Sequence, residues 1–261
     1  VTKQKIVFFD IDGTLLDHEK QIPDSTRQAI KHLQENGVIT AIATGRAPFM
    51  FEEIRKELNI NTFVSFNGQY VVHDNNVVFK NPLSAEALVL LEEKATAAGH
   101  PMAFFSSESM ASNRDGDPFI KTSFNDLKMN PPLFDMSFHN NNEIYQALLF
   151  CEANDEAEYL KLKSDFEYIR WHQYSTDVIP AGGSKALGIK QLLDSLKIDV
   201  RHTYAFGDAL NDIQMLSFVN YGIAMGNALD ETKNAARFIT KHVDQDGIYH
   251  GLQEVGLLTG V

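Results

Sequence analysis

An apolar segment, Lys5 to Phe9, runs without interruption into Asp10-Ile11-Asp12-Gly13-Thr14. This junction constrains the fold more than any other feature of the chain. A short apolar run bounded by turn residues reads as a buried strand. In open α/β sheets, ligands bind outside the carboxyl ends of such strands. Asp10 and Asp12, one residue apart, would then sit at a strand tip. Two anions so close raise each other's pKa, so a shared proton or a divalent cation is needed to keep both in one site. The alternative for this stretch is a plain Asp-Gly turn after a strand.

The pattern around this strand predicts a doubly wound α/β sheet. A helix opens at Pro23-Asp24-Ser25 and stops at Asn36-Gly37, and Val38 to Thr44 is a second strand. A helix from Phe51 to Leu58, a strand from Thr62 to Phe66, a tight Asn67-Gly68 turn and short β segments as far as Phe79 follow. Beyond Asn81-Pro82 the alternation breaks. A helix from Ser84 to Ala98 precedes β segments at 102–106 and 144–151, a helix near 155–163, and strands at 168–173 and 177–180. That mixture predicts an α+β insertion, residues 82–183, hinged at Asn81-Pro82 and Gly182-Gly183, inside a discontinuous core of residues 1–81 and 184–261. From Ser184 helices and strands alternate again: helix to Lys197, strand 203–206, helix 212–219, strand 221–224, and helices at 229–236 and 249–255.

With 261 residues, 44% of them hydrophobic, the chain has apolar material for a generous core. A formal charge of -12 argues against nucleic acid or an anionic membrane as partner. The single cysteine, Cys151, lies in the apolar stretch Ala147 to Cys151, so it reads as core, and the expected setting is the reducing cytoplasm. No run approaches membrane-span length, and the first residues lack the regions of a signal peptide.

Three further segments could carry chemistry. Ala43-Thr44-Gly45-Arg46 ends a strand with a hydroxyl, which can bond a phosphate oxygen, and a glycine that lets backbone amides approach an anion. An ordinary turn is the alternative, and Arg46 reads equally well as a solvated or structural arginine. Gly182-Gly183-Ser184-Lys185 opens a helix with a cation where the macrodipole disfavours one; a bound phosphate would account for it, a snorkelling lysine being the alternative. Phe206-Gly207-Asp208-Ala209-Leu210-Asn211-Asp212 ends another apolar strand in carboxylates. Asp208 is a candidate metal ligand, and Asp212 either catalytic or a helix cap. Oxygen ligands without clustered histidine or cysteine suit magnesium.

These four segments, in this order, resemble the haloacid dehalogenase (HAD) superfamily of phosphohydrolases over the whole chain. The insertion, together with Asn67-Gly68 and Ala224-Met225-Gly226-Asn227-Ala228, is similar to the Cof-type subfamily with a class IIB cap; Gln69 departs from that subfamily's usual small residue. The resemblance implies a Rossmann-like core with Asp10 as nucleophile and Asp12 as acid and then base. Thr44, Gly45, Lys185 and Asn211 would hold the phosphoryl oxygens. Mg2+ would be bound by Asp10, the Asp12 main-chain carbonyl and Asp208, with Asp212 in the outer shell or orienting Lys185. The inserted domain would be a lid. The implied activity is magnesium-dependent hydrolysis of a small phosphomonoester, a sugar phosphate or phosphorylated cofactor, by a monomer or homodimer. A phosphomutase and a catalytically silent phosphate-binding regulator are the alternatives.

Overall fold

The computed structural model describes residues 3–162 and 164–258. In chain order, β1 (Ile6–Phe9), α1 (Asp24–Glu35), β2 (Ile39–Ala43), α2 (Glu52–Leu58), β3 (Phe63–Ser65), β4 (Tyr70–His73) and β5 (Asn76–Lys80) come first. Next are α3 (Ala85–Ala98), β6 (Met102–Phe105), β7 (Met110–Ser112), α4 (Pro118–Asp126), β8 (Leu133–Phe134), α5 (Phe138–Asn141), β9 (Gln146–Phe150), β10 (Phe166–His172) and β11 (Ser175–Pro180). Last come α6 (Lys185–Leu196), β12 (Thr203–Gly207), α7 (Ile213–Phe218), β13 (Tyr221–Ala224), α8 (Asp230–Ala235), β14 (Phe238–Ile239) and α9 (Gly247–Glu254). These elements form two compact units, one of Val1–Arg46, Phe51–Lys80 and Ser184–Val261, the other of Ala47–Met50 and Asn81–Gly183. Among the described residues, no helix is long and apolar enough to cross a membrane.

The first unit is built on a sheet of order β14-β13-β12-β1-β2-β3-β4-β5, parallel from β14 to β3 and antiparallel from β3 to β5. Strand periodicity divides β1 between two cores. Val7 and Phe9 join Ile30 and Leu33 of α1 and Leu252 of α9, while Ile6 and Phe8 join Ile189 and Leu192 of α6 and Leu216 of α7. Each of these side chains contributes about 1.5–3 kcal/mol by burial, and both faces are covered, as parallel strands require. The edge strand β14 is only two residues long, too short to leave a strand pattern in the sequence.

Between β3 and β4 the expected two-residue turn is a longer device. Phe66, Asn67 and Gly68 all have positive φ, 52°, 50° and 102°. A methyl group on Gly68 would overlap the carbonyl oxygen of Ser184, the residue before α6, so this glycine lets the helix start press against the turn. Gly68→Ala is expected to lower stability by about 2–4 kcal/mol, measured by urea unfolding, through both the strained φ and the overlap. An unchanged midpoint would contradict the close packing.

The second unit has a sheet of order β10-β11-β9-β6-β7-β8, antiparallel except where β7 meets β8. Leu88, Leu91 and Ala95 of α3 pack on Phe104, Ala147, Leu149 and Val178. The Ser84 hydroxyl caps α3 by accepting from the Ala87 amide, and Gly99 ends it at φ 78°. The helix expected near 155–163 is a 3-10 segment, Glu156–Leu162; Lys163 lies outside the described residues. Tyr159 is its only buried residue, and one anchor does not stabilise the stripe of an α-helix. The stretch 107–143, where the sequence shows no clear periodicity, contains β7, α4, β8 and α5. Its one clear signal was Asp117-Pro118, where the aspartate caps the amides of Phe119 and Ile120.

Candidate active site

Three adjacent parallel strands, β12, β1 and β2, end side by side. The residues that follow them, Asp208, Asp10 and Thr44, therefore share one sheet edge. The ladder continues into two of these: the Asp10 amide donates to the Phe206 carbonyl at 3.0 Å, and the Thr44 amide to that of Val64 at 2.9 Å. After Asp10 the chain folds back sharply, with the Leu16 amide donating to the Ile11 carbonyl at 2.8 Å. Gly13, at φ 79°, makes that reversal, and a methyl group there would overlap the Asp208 carboxylate. The Thr14 hydroxyl, buried in the same loop, donates to Asp208 Oδ1 at 3.1 Å.

Helix α6 begins at this edge. Its first residue, Lys185, is completely buried, and its ammonium donates to Asp10 Oδ1 at 2.6 Å and Asp212 Oδ1 at 2.7 Å. These two carboxylates account for a cation where the helix dipole alone disfavours it. Asp212 Oδ2 accepts from the amides of Asp208 and Ala209 at 2.9 and 3.0 Å, so all the hydrogen bonds that Asp212 receives orient it toward Lys185 and its own loop.

Electrostatically the site is short of positive charge. Asp10, Asp208 and Asp212 each place an oxygen within 4.8 Å of the others, against the one ammonium of Lys185. Burial pushes the Asp10 carboxyl up to about 8; Lys185 opposes the shift, and the charges of Asp212 and Asp208 add to it. Burial likewise pushes Asp208 up to about 6, with Asp212 adding repulsion. Burial works against the Lys185 ammonium, yet Asp10 and Asp212 hold its pKa above the ordinary range. A group of carboxylate oxygens with excess negative charge, those of Asp10 and Asp212 buried and that of Asp208 partly so, suits a hard divalent cation, which takes carboxylates and water.

Asp12 stands apart from this cluster. Its carboxylate accepts from Arg46 Nε at 2.9 Å and Nη2 at 2.7 Å, and from Lys20 Nζ at 2.7 Å. Burial tends to raise its pKa, but the two cations outweigh burial and hold it below the usual carboxylate range. The Asp12 side chain is thus engaged by cations, which is compatible with the sequence expectation that its main-chain carbonyl, not its carboxylate, faces a metal.

The remaining sequence candidates form a second group. The Thr44 hydroxyl accepts from the Arg46 amide at 3.1 Å, and the Thr44 carbonyl from the Asn67 amide at 3.0 Å. A methyl group on Gly45 would press within 3.0 Å of the Asn67 side chain, whose Oδ1 accepts from Asn211 Nδ2 at 3.0 Å. Asn227 Nδ2 donates to the Gly13 carbonyl at 2.8 Å and Asn227 Oδ1 accepts from the Val243 amide, bracing the loop that follows β1. Sequence reasoning did not place Thr14, Lys20, Asn67 or Asn227 in the site. Thr14 lay inside the first motif, and the Asn-Gly pair marked a left-handed backbone at Asn67.

Elsewhere, Arg114 donates to the Gly99 carbonyl at 2.7 Å, and His172 lies between Ser123 and Asp126, both at 3.0 Å, so each has a structural partner in the second unit. Cys151 is buried, and burial raises its thiol pKa, the opposite of a reactive thiolate. A cavity of about 800 Å³ lined by Lys5, Val38, Ile39, Leu196 and Ile198 lies at the opposite, amino-terminal ends of β1 and β2 and contains none of the acidic residues.

The family model for haloacid dehalogenase-like hydrolases matches residues 7–252. The chain belongs to this family. A Bacillus subtilis (strain 168) protein named "Putative phosphatase YkrA" is 46% identical over 254 residues, covering 97% of this chain and 98% of its own. The solved structure of the HAD subclass IIB sugar phosphatase BT4131 superposes with a TM-score of 0.86 at 30% identity, covering 98% of this chain and all of that one. The 5-amino-6-(5-phospho-D-ribitylamino)uracil phosphatase YwtE of Bacillus subtilis (strain 168) is 26% identical, covering 98% of this chain and 99% of its own. This haloacid dehalogenase-like hydrolase is accordingly a phosphatase, with the α/β fold of that superfamily.

Proposed function

We propose that this phosphatase hydrolyses small phosphomonoesters with magnesium, through an aspartyl-phosphate on Asp10. The observation that carries the reading is the buried Asp10–Lys185 pair at the strand tips, with a second carboxylate, Asp12, close by in sequence but outside the acidic cluster. Mg2+ held by Asp10, the Asp12 main-chain carbonyl and Asp208 would offset the repulsion between nucleophile and phosphate.

In the first step an Asp10 oxygen attacks phosphorus, and the departing alkoxide takes a proton from Asp12. In the second a water oxygen attacks the same phosphorus while its proton passes to Asp12, releasing inorganic phosphate and the Asp10 carboxylate. Lys185, the Thr44 hydroxyl, the Gly45 amide and Asn211 would hold the phosphoryl oxygens, where fixed donors are most effective. Asp212 keeps Lys185 in place. Residues 82–183 would be the cap that selects the leaving group. The sugar phosphatase and the ribitylaminouracil phosphatase are named for phosphate esters on polyhydroxylated carbon chains, and that is the substrate class we favour.

The test is phosphate release from sugar phosphates, polyol phosphates, nucleotides and an aryl phosphate, with and without magnesium. Turnover should require magnesium and fall about a thousandfold or more in Asp10→Asn. Dependence on a bisphosphate activator would favour a mutase, and an inactive wild type would refute the reading.

A further inference from the structure

The Asp12 carboxylate accepts three hydrogen bonds from two cationic side chains. Arg46 reaches both of its oxygens through a planar fork, and Lys20 adds a third donor to Oδ1. Lys20 sits in a turn built to present it: Asp17 Oδ1 accepts from the amides of Glu19 and Gln21 at 2.9 and 2.8 Å, and the Lys20 amide donates to the Asp17 carbonyl at 3.0 Å. Its φ is 62°, a left-handed conformation that a lysine rarely adopts.

We propose that Arg46 and Lys20 are positioning residues that hold Asp12 as the base of the second half-reaction. The proposal rests on the phosphatase reading above. Guanidinium and ammonium groups only donate, so the partner they hold is the carboxylate, the form Asp12 takes once its proton has left with the alkoxide. Oδ1 receives two donors and Oδ2 one, which leaves Oδ2 with a lone pair free. In the step that follows, a water oxygen bonds to phosphorus and the bond from phosphorus to the Asp10 oxygen breaks. Its electron pair returns to the Asp10 carboxylate, and the water proton passes to Asp12 Oδ2. The Arg46 fork sets the plane of the carboxylate, and with it the direction of that lone pair. A lysine at position 46 would keep the charge but not the plane.

The experiment is stopped-flow hydrolysis of p-nitrophenyl phosphate, whose phenolate departs without needing a proton, combined with acid-quench trapping of phosphoenzyme. Arg46→Gln should give a burst near one equivalent per enzyme, followed by a steady rate about tenfold or more below wild type. Arg46→Lys should stay slow, and Lys20→Met should show the same pattern more weakly. Lys20 is 42% exposed, so its replacement leaves the core intact, and circular dichroism checks the folding of all three. Burst and steady rate falling together, or neither changing, would overturn the positioning role while the phosphatase reading stands. A wild type that neither releases phosphate nor forms phosphoenzyme would overturn the phosphatase reading and this inference with it.

Discussion

Lys185→Met should abolish phosphate release and cost about 3–5 kcal/mol of folding stability, the range for breaking a buried ion pair. Lys185 is completely buried, and both of its carboxylate partners are too, Asp212 wholly and Asp10 nearly so. Without the ammonium, three carboxylates within 4.8 Å would have no cation among them. The loss of activity has a separate cause: a phosphoryl group approaching Asp10 would lose its fixed positive charge. The two effects can be parted. Lys185→Met combined with Asp212→Asn removes one of the stranded charges and should recover part of the stability in urea melts, with turnover still absent. A double variant no more stable than the single one would show that the cost of Lys185→Met is packing rather than charge.

What sequence could reveal here follows from where each constraint is local. The strand β1 and its acidic tip were legible because Lys5 to Phe9 is uniformly apolar and Asp10, Asp12 and Gly13 follow without a break. Lys185 was legible because a cation opening a helix contradicts the dipole and calls for a partner. That the partners include two carboxylates 175 and 27 residues away was a matter of tertiary structure. The same holds for Arg46: its own surroundings allow a solvated side chain, and only the return of the Asp12 loop to the end of β2 makes the fork. Lys20 left no trace at all, since a lysine in a polar turn is the commonest of surface residues. In the second unit, α4 escaped notice although Asp117-Pro118 announced its start, because few apolar residues mark its length. The helix expected near 155–163 is a 3-10 segment, Glu156–Leu162, a distinction of helix type that the sequence pattern does not make.

In the absence of a divalent cation, the protein should be more stable at pH 5 than at pH 8, and magnesium should narrow that difference. The sign follows from the raised carboxyls. Asp10 and Asp208 titrate near 8 and 6 in the folded chain, against an ordinary value of 3.8. The folded state therefore binds their protons more tightly than the unfolded state does. The stability they contribute is fully present below about pH 4 and is lost as pH rises through 6 and then 8. Asp12 acts in the opposite direction, but its depressed pKa matters only as pH falls below the ordinary carboxylate range, outside this window. Magnesium selects the ionised carboxylates, so protons compete with it at low pH. At one hundred times its dissociation constant it should add about 2.7 kcal/mol at pH 8, or about 5–10 °C in Tm for a chain of this size, and much less at pH 5. Asp208→Asn separates charge from metal: the variant should melt higher than wild type at pH 8 without magnesium and gain little when magnesium is added. If cation-free wild type instead melts higher at pH 8 than at pH 5, the excess negative charge assigned to this cluster is wrong.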